Sequence, residues 1–355
     1  MYKPLLPGAT IGILGGGQLG RMLAIAAARL GFKSHIFEPG ADCPAGQVAD
    51  TVTTAAYTDA HALKAFAAAV DVITFEFENI PTSALDILEQ MATIRPGREA
   101  LRISQDRLTE KNFLIGLGLK TAPHAAVDDA AALAQALDQI GAPAILKTRR
   151  FGYDGKGQMR LNTDSDLKAI WAEMVGQPCL LEGFVTFSHE VSVIGARGAD
   201  GAVCCFDPGE NVHKNGILRT TTLPARLSGA QRIDAVLLTA NILNTLEYVG
   251  VMGVEIFVTN EGLIVNEIAP RVHNSGHWTQ NACAVDQFEQ HIRAVAGWPL
   301  GDGSRHADVV MDNLIGDDVA NAIELAKQPD TALHLYGKDD IKPGRKMGHV
   351  NRIIR

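Results

Sequence analysis

Cysteine is scarce in this chain and poorly placed for pairing. The five are Cys43, Cys179, Cys204, Cys205 and Cys283. None stands in a C-x-x-C pair and the number is odd, which argues against a disulfide framework and a zinc site and for a reducing compartment. Long apolar runs are also missing. Nothing approaches the ~20 residues needed to span a bilayer, and the start, MYKPLLPGATIGIL, lacks the apolar segment of a signal peptide. A cytoplasmic protein away from membranes is expected. Basic charge is not in excess either. The formal net charge of -8 disfavours non-specific nucleic-acid binding. There is no internal repeat, and no low-complexity stretch beyond some alanine-rich helices.

What is present reads as alternating strands and helices. TIGILG (10–15), an alanine-rich helix through RMLAIAAARLGF and the strand KSHIFEP make one βαβ unit. A helix at 60–69 and a strand over VDVITFEFE (70–78) extend it to a small doubly wound domain of about 100 residues. Ser104 is expected to cap a helix through RLTEKNFLIGLG, with Asp106 in its first turn. APHAAV, a helix at 128–140, APAILK, GQMRL, a helix at 164–175 and CLLEGFV continue the alternation. Strand pattern then dominates 189–206, a helix fits 228–248, and 251–271 reads as two strands around a turn.

Four clusters carry candidate chemistry. Gly15, Gly17 and Gly20 match G-x-G-x-x-G, with Glu38 ending the next strand. This is a dinucleotide or anion-binding signature, or only close helix–strand packing. In ILKTRRFGYDGKGQ (145–158), Lys147 ends an apolar strand and precedes the glycines, so this is no P-loop. A glycine-rich hairpin between strands can act as a lid over phosphates, or be a plain hairpin with a solvated tip. Glu255 and Glu267 sit in apolar strands with Asn266 beside them, and need a cation or arginine partners. A two-residue loop would put the two acids on opposite faces. A three-residue loop, Asn260-Glu261-Gly262, would set them opposite each other, and glycine in third place favours it. Last, Arg271-Val-His273-Asn274-Ser275-Gly276-His277-Trp278 crowds polar groups next to these acids. Lys342, Arg345 and Lys346 surround Pro343-Gly344, as a solvated basic tail or a phosphate receiver.

The order of these clusters resembles the ATP-grasp superfamily. GGGQLGRML, TFEFENIP, RRFGYDGKGQ, NVHKNGILRT, NEIAPRVHNSGHWTQ and KPGRKMGHVN narrow the likeness to its PurK family of ATP-dependent 5-(carboxyamino)imidazole ribonucleotide synthases, across residues 12 to 351. The resemblance implies a mixed α/β and α+β chain: a Rossmann-like doubly wound domain (1–103), a small lid subdomain (104–181), a large subdomain with the metal site (182–298) and a C-terminal extension (299–355).

It also implies a reaction and roles. Bicarbonate attacks ATP, and the carboxyphosphate formed carboxylates the amine of 5-aminoimidazole ribonucleotide, leaving ADP and phosphate, in purine biosynthesis. For ATP it implies Arg107, Lys147, the lid Gly152-Tyr153-Asp154-Gly155-Lys156-Gly157-Gln158, the hinge Glu182-Gly183-Phe184-Val185, and Glu190, His213, Asn266 and Glu267. Glu255 and Glu267 would bind Mg2+ or Mn2+. Many ATP-grasp enzymes have Glu-x-Asn-x-Arg where this chain has Glu267-Ile-Ala269-Pro-Arg271, a departure that PurK relatives share. Arg271 would hold the bicarbonate-derived group, with Tyr153, Asp154 and His273 near the amine. Arg345 and Lys346 would take the sugar phosphate, with Gly17, Gln18, Leu19, Glu76, Asn274 and Ser275 shaping the nucleotide pocket and Lys346 counted among the catalytic groups. A homodimer is implied as well. Rival readings are a formate-dependent glycinamide ribonucleotide transformylase of the same superfamily, an NAD-dependent dehydrogenase, and a non-catalytic nucleotide sensor.

Overall fold

The computed structural model describes residues 3–152, 157–174 and 176–354. The chain folds first into a four-stranded parallel sheet. Its strands are β1 (Thr10–Leu14), β2 (Lys33–Glu38), β3 (Thr51–Thr54) and β4 (Val72–Phe75), in the order β3-β2-β1-β4. Helix α1 (Gln18–Arg29) turns Leu19, Met22, Leu23, Ala26 and Ala27 to the core at helical spacing, and α2 (Ala60–Ala68) is capped by Asp59. The fourth strand is shorter than the expected 70–78. At Glu76 the N–H still bonds the Leu14 carbonyl, while the carboxylate turns to the start of α1.

Helices α3 (Thr82–Leu88), α4 (Arg98–Ser104) and α5 (Arg107–Gly116) lead onward. The expected cap is displaced by two residues. Ser104 ends α4, and Asp106 caps α5, accepting from the N–H groups of Leu108 and Thr109. Asp106 directly precedes the free donors of α5, whereas Ser104 lies in the last turn of α4 with its hydroxyl donating to the Leu101 carbonyl.

A second, antiparallel sheet follows: β5 (His124–Val127), β6 (Ala144–Thr148), β7 (Gln158–Leu161) and β8 (Cys179–Gly183), ordered β5-β8-β6-β7. Helices α6 (Ala130–Ile140) and α7 (Leu167–Glu173) cover it. Since β8 runs to Gly183, the boundary expected after residue 181 falls inside a strand of this sheet.

The third sheet has nine antiparallel strands. These are β9 (His189–Arg197), β10 (Val203–Cys205), β11 (Gly209–Lys214), β12 (Ile217–Leu223), β13 (Gly250–Thr259), β14 (Gly262–Ala269), β15 (Asp308–Ile315), β16 (Thr331–Leu335) and β17 (Lys346–Ile354). The order is β14-β13-β9-β11-β12-β15-β17-β16, with β10 on β9. Helix α8 (Gly229–Thr245) starts at a capping box of Ser228 and Gln231. After the short α9 (Thr279–Ala282), α10 (Gln287–Ala296) packs between this sheet and the first. Its His291 bonds Thr74 across that boundary at 2.7 Å, and Arg29 pairs with Asp286 and Glu289. A last short helix, α11 (Ala322–Ala326), precedes β16. Among the described residues no helix is long and apolar enough to cross a membrane.

Candidate active site

The hairpin of β13 and β14 sets the site. Thr259 pairs with Gly262, so its loop is the two-residue Asn260-Glu261 and the expected three-residue loop is absent. Glu255 still faces Glu267, because a bulge lies between Ile256↔Val265 and Glu255↔Glu267 and Asn266 is the extra residue. The Asn266 amide reaches Glu255 Oε2 at 3.5 Å. The pairing was foreseen for the wrong reason: the added residue sits inside the ladder, not in the turn.

Cationic groups converge on this pair from α5 and β6. Arg107 bonds Glu267 at 2.9 Å and the Gly152 carbonyl at 3.4 Å. Lys147 lies 2.6 Å from Glu182, and Lys111, 2 % exposed, lies 3.3 Å from the same carboxylate and donates to the Asn266 carbonyl at 2.6 Å. Burial alone would raise Glu267, but Arg107, Lys147 and Lys111 hold it down at about 2. For Glu255 burial and the facing Glu267 act together and push it to about 7. Glu110, buried and donated to by the Ile268 N–H, is pushed to about 8 by burial and then by Glu267. Burial and a like charge raising Glu255 are what two hard oxygen donors feel before a cation joins them, so the pair fits a divalent ion that also takes phosphate oxygens. Among the described residues no cluster of three or more His, Cys, Asp or Glu is placed to hold a metal; the fit is to a two-carboxylate site.

Beside the acids, His213 Nδ1 lies 2.6 Å from Glu190. Burial pulls that histidine down, but the Glu190 and Glu255 charges outweigh it and raise it. Glu182 spends its carboxylate on the two lysines. Beyond it, Gly183 and Phe184 are tethered to the Pro123 and Pro143 carbonyls, and the exposed Phe184 ring lies under the Arg160 guanidinium at 4.7 Å, with Val185 following. Gly157 leads into β7 at φ 70°, its carbonyl bonded by the Thr148 N–H, and Gln158 pairs with Lys147. The expected lid residues Tyr153, Asp154, Gly155 and Lys156 lie outside the described residues.

The segment after β14 brings Arg271 and His273 alongside. Arg271 makes two hydrogen bonds to Glu78, at 2.6 and 3.2 Å. His273 faces Glu255 at 3.4 Å; burial, then the Arg271 charge, push it down to about 3. Asn274 exchanges amide bonds with Asn313, and the buried Ser275 bonds Ser192 and His273. Lys346, on β17, is near enough for its charge to lower His273. Arg345 beside it donates to the Asp340 carbonyl.

The first glycine cluster is satisfied from within. Gly17 and Gly20 donate to Glu76 at 2.5 and 2.7 Å, and Gly16 donates to Glu38 at 2.7 Å. A Cβ on Gly17 would stand 2.5 Å from the Glu76 oxygen, so the glycine serves that close approach. With Gln18 and Leu19 opening α1 over this carboxylate, the anion at the helix start is the protein's own, and the N–H groups a dinucleotide would use are taken.

Comparison with known proteins agrees with this architecture. The ribonucleotide synthetase preATP-grasp domain matches residues 8–105, the ATP-grasp domain 112–288, and the phosphoribosylaminoimidazole carboxylase C-terminal domain 309–355. The chain is 55% identical to the N5-carboxyaminoimidazole ribonucleotide synthase of Brucella melitensis, covering 98% of this chain and 97% of that one. It is 43% identical to that of Bacillus subtilis, over 99% and 93%. Among solved structures, a purK N5-carboxyaminoimidazole ribonucleotide synthetase in complex with ADP superposes with a TM-score of 0.96 at 41% identity, over 100% of this chain and 94% of that one. The Aspergillus clavatus synthase with ADP and 5-aminoimidazole ribonucleotide gives 0.92 at 31% identity, over 98% and 94%. With sheets, site and near-full-length likeness in agreement, the chain belongs to the N5-carboxyaminoimidazole ribonucleotide synthase family of ATP-grasp enzymes.

Proposed function

We propose that the protein carboxylates the amine of 5-aminoimidazole ribonucleotide, using ATP and bicarbonate and releasing ADP and phosphate. The observation that carries this is the facing pair Glu255 and Glu267, flanked by Arg107 and Lys147 on one side and by Arg271 and His273 on the other. One side suits a phosphoryl group being transferred, the other a small carboxylate-bearing acceptor.

ATP would lie between the second and third sheets. Lys147 and Arg107 would exchange their present carboxylate partners for phosphate oxygens, with Lys111 keeping the released Glu182 in an ion pair. The hinge Glu182–Val185 would border the adenine, and Glu190, held by His213, would take the ribose. Glu255, Glu267 and the Asn266 amide would hold Mg2+, which supplies charge neutralisation on the phosphates. Bicarbonate oxygen attacks the γ-phosphorus and the bond to ADP breaks, giving carboxyphosphate. Arg271 orients the carboxylate end, and Glu78 fixes the guanidinium in one plane. The amine then takes the carboxyl carbon, the carbon–oxygen bond to phosphate breaks, and the leaving phosphate carries away the amine proton. Lys346 and Arg345 would receive the ribonucleotide's phosphate, with the α1 start and Glu76 bordering it. Free thiols throughout support work in the reducing cytoplasm, and the family likeness supports a homodimer.

The test is ADP release from Mg-ATP with each substrate omitted in turn. ADP formed only with both bicarbonate and 5-aminoimidazole ribonucleotide is the expected result. Equal ADP release without either, or release with formate and glycinamide ribonucleotide instead, overturns the reading.

A further inference from the structure

One nitrogen of His273 is tied to a line of buried side chains that crosses three strands. Its Nδ1 lies 3.4 Å from the Ser275 N–H and 2.8 Å from the Ser275 hydroxyl. Ser275 Oγ is 2.6 Å from Ser192 Oγ on β9. Ser192 Oγ is 2.9 Å from Asn211 Nδ2 on β11, and Asn211 Oδ1 is 2.8 Å from Thr221 Oγ1 on β12. Ser275, Ser192, Asn211 and Thr221 are each at most 5 % exposed, so solvent does not compete for these bonds.

The direction of the line follows from its one irreversible member. A backbone N–H can only donate, so Nδ1 accepts. The Ser275 hydroxyl, facing the same lone pair, must also donate to it. Its oxygen therefore accepts the single proton of Ser192. Ser192 in turn accepts from Asn211, which can donate only through Nδ2, and that leaves Oδ1 for the Thr221 proton. All the bonds agree with one direction and none is left over. The ring itself cannot turn away. Gln287 grips the His273 backbone at both N–H and carbonyl, at 2.9 and 2.8 Å, and the ring lies against Gly253, where an added Cβ would come within 2.8 Å of the ring's Cγ.

We propose that this one-way line fixes His273 as the tautomer protonated on Nε2. His273 then offers a hydrogen bond to the reacting carboxyl group beside Glu255, and is not the base that accepts the amine proton. Ser192, Asn211 and Thr221 are positioning residues acting through Ser275. The assignment of a reacting carboxyl rests on the proposed carboxylation; the tautomer does not.

The experiment is a long-range 1H–15N correlation on the full chain labelled with 15N-histidine at neutral pH, with His273 identified by its loss in His273→Gln. The expected pattern is a protonated Nε2 and a bare Nδ1 for His273. In Ser192→Ala the Ser275 hydroxyl no longer receives a proton and is free to accept one from Nδ1, and only the long 3.4 Å contact of the Ser275 N–H still favours a bare Nδ1. A second tautomer population should then appear and kcat for ADP release should fall about tenfold, with the KM for ATP unchanged. A protonated Nδ1 in the unaltered chain overturns the proposal without need of any variant. So does a Ser192→Ala protein that keeps both the tautomer and kcat. Should ADP release prove independent of bicarbonate, the carboxylation reading fails while the tautomer result stands by itself.

Discussion

The two halves of the site are held by different forces. On the phosphate side, Arg107, Lys111 and Lys147 are locked to Glu267 and Glu182 by ion pairs that join α5 and two sheets. On the acceptor side, His273 is set by neutral hydrogen bonds that run through adjacent strands of one sheet. Ion pairs are strong at short range but tolerant of angle, so they can be traded for phosphate oxygens as a nucleotide enters. Neutral bonds between buried groups have no such substitutes, and they define direction as well as distance. The half that must accept a mobile polyanion is built from exchangeable charges. The half that must aim one small group is built from a fixed network.

Breaking the charged half should cost most. Glu267→Gln removes a proposed metal ligand and the partner of Arg107 together, and kcat for ADP release should fall about 1,000-fold. A fall of less than tenfold would show that the carboxylate is not at the phosphates. The next largest effect is expected from Gly253→Ala, on the opposite half. Its new methyl meets the His273 Cβ at 2.7 Å and must push the ring off its line. A displacement of that size should lower kcat about 100-fold while leaving the KM for ATP alone. Equal damage to both constants would mean that the halves are not separable. Lys147→Met should act in the other sense, raising the KM for ATP about tenfold, in line with one lost charge-assisted contact.

The charged half was largely legible in the sequence, and the neutral half was not. Lys147, Glu255 and Glu267 stand out because ionised groups at the ends or centres of apolar strands need an explanation. Even so, the register of the two acids depends on a bulge that no local signal announces, and Gly262 pointed to the wrong loop. Lys111 reads as an ordinary exposed helix lysine, and only the packing of α5 on β14 buries it. Glu78 stands within the quoted TFEFENIP, but its partner Arg271 is 193 residues away. Ser192 and Gln287 carry no charge and sit in unremarked strand and helix positions, and Asn211, though it opens the quoted NVHKNGILRT, has no charge to single it out. Their role exists only once β9, β11 and α10 are neighbours. The doubly wound start was read correctly as a fold, yet its glycines proved to serve Glu76 and Glu38.

The smallest effect separates the two halves by pH. Burial would raise the Glu78 carboxyl, but the Arg271 guanidinium outweighs it and holds it below the ordinary carboxylate range. A depressed folded value means that the native state binds fewer protons than the unfolded chain near that range. The pair's contribution is therefore complete above the unfolded pKa of about 4.3 and is lost as pH falls through the lower, folded value. Glutamine has the shape of the protonated acid, so Glu78→Gln should lower the melting midpoint by a few degrees at pH 7. That gap should hold down to about pH 5, begin to narrow near the unfolded value of about 4.3, and close as pH falls through the lower, folded value, where the unaltered protein protonates Glu78 itself. Asn211→Leu, in the neutral half, removes groups that do not titrate, and its gap should stay constant between pH 7 and 4. A Glu78→Gln gap that ignores pH would mean that Arg271 is held by shape and not by charge. The rule that the acceptor side is fixed by geometry would then extend to Arg271, its charged member.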